Sequence, residues 1–158
     1  MAFEYNIEEI LKMAEQIEEN GVKFYTEAAS AVSDFNAKQL LLNLAEFEKE
    51  HKKTFASIRE NLSEKEKASL IFDPQDESAQ YLKALADMRV FFKKEIDIKN
   101  IEEILKEALV AEKDSILFYQ AMKPLVSEKS GVKKIESIIQ EEMKHIKILT
   151  EKLTAFKS

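Results

Sequence analysis

The sequence predicts an all-α fold, a four-helix bundle made of two copies of one helical hairpin joined by a long crossover that contains a short helix. Three observations carry this expectation. Only two glycines and two prolines stand among 158 residues that are 45% apolar and 34% charged, a composition that leaves little material for turns and much for long amphipathic helices. The chain has two histidines, and both stand in one setting, Glu48-Lys-Glu-His51 and Glu142-Met-Lys-His145, 94 residues apart. At that same offset Asn6-Ile-Glu-Glu-Ile-Leu-Lys12 recurs letter for letter as Asn100-Ile-Glu-Glu-Ile-Leu-Lys106, Glu18 maps to Glu112, and Phe24-Tyr25 to Phe118-Tyr119, so residues 6–55 and 100–149 align without a gap.

The length, residues 1–158, suits one domain with a substantial buried core. A net charge of −6 without any concentrated basic stretch argues against nucleic acid and anionic membrane as partners. Without cysteine there is no disulfide, thiolate nucleophile or iron–sulfur centre, so any electron passes through whatever the histidines and carboxylates hold or comes from another molecule. The start, Met1-Ala-Phe-Glu-Tyr5, has neither a basic nor an apolar leader region, and the expectation is a cytoplasmic protein.

Asn6 with Glu9 three residues on resembles a capping box, so a first helix begins there and runs to about Ser33. Its apolar seam is Leu11, Ala14, Glu18, Gly21, Tyr25, Ala28, Val32, with one carboxylate in the stripe. The short Ser33-Asp-Phe-Asn36 turn leads to a second helix capped at Asn36, with the seam Leu41, Leu44, Glu48, His51, Phe55, Ile58. So short a connection makes the two helices antiparallel neighbours. Residues 60–99 lie outside the repeat; Asp73-Pro74 breaks them, and Glu77 to about Phe92 reads as the short helix of the crossover. Asn100 repeats the first cap, and the third seam is Leu105, Ala108, Glu112, Ser115, Tyr119, Met122, Val126, with Pro124 kinking or fraying the last turns. Ser130 is the expected cap of the fourth helix, whose seam is Ile135, Ile138, Glu142, His145, Leu149.

Each seam glutamate lies twelve residues beyond its expected cap. Twelve residues rise about 18 Å, near the middle of such helices, so antiparallel packing brings the four carboxylates to one level. Four ionised, unpaired carboxylates in an apolar core cost several kcal/mol each, about, even after relaxation, so something positive must sit among them. Two divalent ions balance the four charges, and oxygen-rich ligation with one nitrogen per ion suits iron or manganese better than zinc. The expected arrangement makes Glu18 and Glu112 terminal ligands and Glu48 and Glu142 bridges, with His51 and His145 on separate ions. Tyr25 and Tyr119, two turns beyond the terminal glutamates, are placed to hydrogen-bond those carboxylates. A lone Glu-x-x-His is commonplace on a solvated helix face; its recurrence at the repeat offset is what sets these two apart. Glu19, Glu46, Glu50 and Glu141 are assigned to surface or flanking positions, and Met143 to packing.

With Glu18…Tyr25, Glu48-x-x-His51, Glu112…Tyr119 and Glu142-x-x-His145, the chain resembles the diiron domain of the rubrerythrins, within the ferritin-like four-helix bundles. The resemblance implies a centre of two iron ions, reduction of hydrogen peroxide to water, and a homodimer. Many rubrerythrins carry a rubredoxin-like domain; this cysteine-free chain then needs an external electron donor such as a rubredoxin-type protein. Where rubrerythrins often place a further glutamate one turn after the third-helix ligand, this chain has Ser115, with Gly21 as its counterpart. The other functional reading is a ferritin-like ferroxidase that handles iron with dioxygen as oxidant. Ferritins usually lack the second Glu-x-x-His, and the haem-binding methionine of bacterioferritins is replaced here by Lys49.

Overall fold

The computed structural model describes residues 5–68, 70, 71, 82, 84 and 100–157. Four long helices dominate: α1 (Ile7–Ala31), α2 (Phe35–Glu60), α4 (Ile101–Met122) and α5 (Lys129–Lys157), with a short α3 (Glu64–Ala68) after α2. A two-residue strand β1 (Tyr5–Asn6) pairs antiparallel with β2 (Leu70–Ile71), fastening the entry of α1 to the chain that leaves α3. Of the crossover helix expected over residues 77–92, only Leu82 and Ala84 lie within the described residues; both are helical, and Leu82 is buried in the core.

Local chemistry explains where the helices begin and end. The Asn6 side chain accepts from the Glu9 amide at 2.8 Å, and Asn100 accepts from the amides of Glu102 and Glu103 at 3.0 and 3.3 Å, satisfying donors that lack an intrahelical partner. The second cap differs from expectation: Asp34, not Asn36, accepts from the Ala37 amide at 2.8 Å. A charged acceptor at the positive end of the helix prevails, and Asn36 falls within the first turn. Nor does Ser130 cap the last helix, which already includes Lys129; its hydroxyl donates to Glu128 at 2.6 Å. A capping box absent from the reading of the sequence opens α3, where the Ser63 amide donates to Glu66 at 3.2 Å and the Glu66 amide to the Ser63 hydroxyl at 3.1 Å. At the far end of α4 Pro124 has no N–H to give the carbonyl four residues back, so the helix yields to a 3-10 turn over Lys123–Leu125. The first half has Ser30 at the equivalent place and remains helical through it.

The buried apolar residues fall into two clusters, and their order along each helix fixes the topology. One cluster takes Ile7–Ile17 of α1, Phe55 and Ile58 of α2, Phe118–Met122 of α4 and Ile135–Ile139 of α5. The other takes Tyr25–Val32, Ala37–Ala45, Ile104–Ala108 and Leu149. Thus α1 and α5 run from the first cluster to the second while α2 and α4 run back, so α2 and α4 are parallel. A chain leaving α2 must therefore travel the length of the bundle, about 39 Å for a helix of 26 residues, before α4 begins. That is what the forty residues between Glu60 and Ile101 are for. Ion pairs brace the α1–α2 hairpin from outside: Arg59 donates to both oxygens of Glu15 at 2.6 and 3.1 Å, and Lys52 to Glu19 at 2.9 Å. Among the described residues no helix is long and apolar enough to cross a membrane.

Candidate metal centre

Between the two apolar clusters lies a polar layer. Glu18, Glu48, His51, Glu112, Glu142 and His145 are all buried, none more than 3% exposed, and Ser115 joins them with its hydroxyl turned to the Ala111 carbonyl at 2.8 Å. All six residues proposed from the sequence as ligands therefore meet at one level of the bundle. They form two overlapping groups whose nitrogen and oxygen atoms lie within 4.8 Å of one another: Glu18, Glu48, His51 and Glu142 in one, Glu48, Glu112, Glu142 and His145 in the other. Glu48 and Glu142 belong to both groups, and each group has its own glutamate and its own histidine.

The histidines turn Nδ1 inward. His51 Nδ1 lies 2.7 Å from Glu142, 3.6 Å from Glu18 and 3.8 Å from Glu48; His145 Nδ1 lies 3.8 Å from both Glu112 and Glu142. The 2.7 Å approach is not aligned as a hydrogen bond, for His51 Nδ1 has no hydrogen-bond partner. The two rings stack with centroids 6.0 Å apart at 25°. At the outer edge of the layer, His51 Nε2 meets Glu141 at 2.5 Å. The sequence places Glu141 at a surface or flanking position; its side chain is 40% exposed, yet its carboxylate reaches the candidate ligand histidine of the neighbouring helix. Seam periodicity selects residues that face the bundle axis, and Glu141 lies one residue off the seam, where only the position of α2 reveals the contact. Met143, expected to serve core or interface packing rather than ligation, is 51% exposed, so it is not part of the core.

Tyr25 and Tyr119 hydrogen-bond Glu112 and Glu18 crosswise. The Tyr25 hydroxyl donates to Glu112 at 2.6 Å, and the Tyr119 hydroxyl to Glu18 at 2.6 Å. Seven residues of helix separate each tyrosine from the glutamate of its own helix by about 10.5 Å, whereas antiparallel packing sets it level with the glutamate of the other. Burial, and then the carboxylates of Glu112 and Glu48 around Tyr25 or of Glu18 around Tyr119, push both phenols well above their usual range, so they stay neutral donors.

Without cations the layer is electrostatically unsatisfied. Seven buried atoms, one or two from each of the six residues, lack a hydrogen-bond partner: Oε2 of Glu18, Oε1 of Glu48, Oε2 of Glu112, both oxygens of Glu142, and Nδ1 of each histidine. Burial first, and then Glu18 and Glu112, raise the Glu48 carboxyl well above the carboxylate range. Burial pulls His51 down, but the Glu18 and Glu141 carboxylates outweigh it and the imidazole titrates above its usual value. Protons thus stand in for positive charge that the donor set calls for. Orphaned oxygens in excess over nitrogen, in two groups sharing two carboxylates, fit a pair of oxygen-preferring metal ions.

The comparison with known proteins agrees with this geometry. A solved structure from Thermotoga maritima, provisionally described as a ferritin-like diiron-carboxylate protein, superposes with a TM-score of 0.73 at 23% identity over 96% of each chain. At that identity the likeness speaks for the fold. No curated protein matches the chain. The family model of rubrerythrin, however, matches residues 9–154, spanning all four long helices and every residue of the polar layer. The chain belongs to the rubrerythrin family.

Proposed function

We propose that this protein is a non-haem diiron peroxidase, which reduces hydrogen peroxide to water with electrons from an external donor protein. The observation that carries the reading is the pair of Glu/His groups sharing Glu48 and Glu142, their inward atoms without partners. In this reading Glu18 and His51 would hold one iron and Glu112 and His145 the other, with Glu48 and Glu142 shared between the two. A pair of ferrous ions bound there would supply the two electrons that, with two protons, convert one peroxide into two waters.

The surrounding residues hold that chemistry in place. Tyr25 and Tyr119 each fix one oxygen of Glu112 and Glu18 and leave the other, orphaned oxygen facing the centre. Glu141 holds the His51 ring by its outer nitrogen. Above and below, the two apolar clusters keep bulk water from the carboxylates, which strengthens their attraction for cations. With no cysteine in the chain, re-reduction falls to a separate protein of the rubredoxin type.

The test is an anaerobic ferrous titration of metal-free protein, followed by rapid mixing with peroxide or dioxygen while diferric absorbance is recorded. Two irons per chain and faster oxidation by peroxide are expected. Faster oxidation by dioxygen would replace this reading with the ferroxidase one, and tighter binding of manganese than of iron would overturn the choice of metal.

A further inference from the structure

The sequence repeat gives each candidate ligand and each tyrosine that bonds one an identical counterpart 94 positions away: Glu18 and Glu112, Glu48 and Glu142, His51 and His145, Tyr25 and Tyr119. The match fails immediately outside the histidines. Glu141, which meets His51 Nε2 at 2.5 Å, has Phe47 as its counterpart. Phe47 occupies the corresponding place beside the other histidine, its ring 4.9 Å from that of His145 at 62°. Among the described residues no carboxylate or carbonyl pairs with His145 Nε2, and Phe47, 45% exposed, brings an aromatic ring beside that imidazole where its counterpart brings an acceptor.

We infer that Glu141 makes the two metal positions unequal, so that the Glu18/His51 position binds a divalent cation more tightly than the Glu112/His145 position. The inference rests on the metal-centre reading above and extends it to a residue outside the ligand set. A carboxylate accepting from Nε2–H fixes the ring as the tautomer whose Nδ1 lone pair points inward, and it pushes electron density toward that nitrogen. It also holds the ring angle, which an imidazole on a helix otherwise adjusts by rotation. His145 has neither aid. Glu141 is a positioning residue: it touches the imidazole and acts on the ion through it. Removal of such an outer partner generally weakens metal binding by about 10- to 100-fold, which sets the expected difference between the positions.

The test is calorimetric and optical titration of the metal-free full-length chain with cobalt(II), whose visible absorption reports each ion as it binds. Two ions that share Glu48 and Glu142 repel each other and separate the binding steps in any case, so the deciding quantity is how the separation changes. Glu141→Gln keeps an acceptor but loses the charge, and it is expected to weaken the first step by about tenfold and narrow the separation. Phe47→Glu gives His145 the missing carboxylate, and it is expected to tighten the second step more than the first, narrowing the separation from the other side. Circular dichroism confirms that each variant is folded; if Phe47→Glu does not fold, Glu141→Gln decides alone. A separation that Glu141→Gln leaves unchanged overturns the inference while the metal centre stands. Failure of the wild-type chain to bind cobalt overturns the metal centre and the inference with it.

Discussion

Removing the metal should reverse the pH dependence of this protein's stability. In the metal-free chain Glu48 and His51 both have folded-state pKa values above their usual 4.5 and 6.5. Groups raised in this way stabilise the fold below their unfolded-state values, and that contribution is lost as pH rises through the folded-state values. Metal-free protein should therefore melt at a lower temperature at pH 8 than at pH 6. Loading works in the opposite sense, because the cation must displace the Glu48 proton: binding weakens about tenfold, or about 1.4 kcal/mol, for each pH unit below the folded-state value. With free metal at about 100 times Kd, each position adds about 2.7 kcal/mol, so two add about 5 kcal/mol and raise Tm by about 10–20 °C in a chain of this size. Because the Glu48 carboxyl is raised well above the carboxylate range, more of that gain goes to displacing its proton at pH 6 than at pH 8, so the rise in Tm on loading should be smaller at pH 6. The assay is scanning calorimetry with and without anaerobic ferrous iron at both pH values. A metal-free Tm that climbs from pH 6 to pH 8, or a gain on loading that is the same at both, would refute the reasoning.

Three further outcomes are expected. Tyr119→Phe preserves the shape of the core but leaves Glu18 Oε1 without its donor, so metal binding at the Glu18 position should weaken by about tenfold or more in a cobalt titration; Tyr25→Phe should do the same at the Glu112 position. Phe55→Ala opens a cavity beside the Tyr119 ring, 4.8 Å away, and should cost about 3–5 kcal/mol of stability by denaturant unfolding. Asp34→Ala should cost about 1 kcal/mol in the same measurement while Asn36→Ala costs a few tenths at most, since only Asp34 caps α2; equal effects would contradict that assignment.

Much of this architecture was legible because the chain states it twice. The letter-for-letter repeat at Asn6 and Asn100 marked two helix starts, and both asparagines do cap. The seam spacing put four glutamates and two histidines at one depth, and all six are buried together there. What escaped the sequence depends on relations between helices or on competition within a few residues. Ser33, Asp34 and Asn36 are all capable caps, and propensity alone does not rank them at this turn. The crossed tyrosine bonds require knowing that α1 and α4 are antiparallel neighbours. Glu141 looks like one more charge on an acidic helix until α2 is placed beside it. The β1–β2 pairing joins two-residue segments too short to leave any periodic trace.

The crossed sharing also bears on how the chain holds its halves together. Each group of candidate ligands takes three residues from one hairpin and one from the other: Glu142 completes the first, Glu48 the second. The tyrosines exchange in the same way, each serving the opposite half. Neither hairpin alone assembles a full coordination set, so an ion bound in either group acts as a rivet through the seam between the duplicated halves. Its loss should be felt first as loosening of that seam, with each hairpin still held by its apolar stripe and the first also by the Arg59–Glu15 and Lys52–Glu19 pairs.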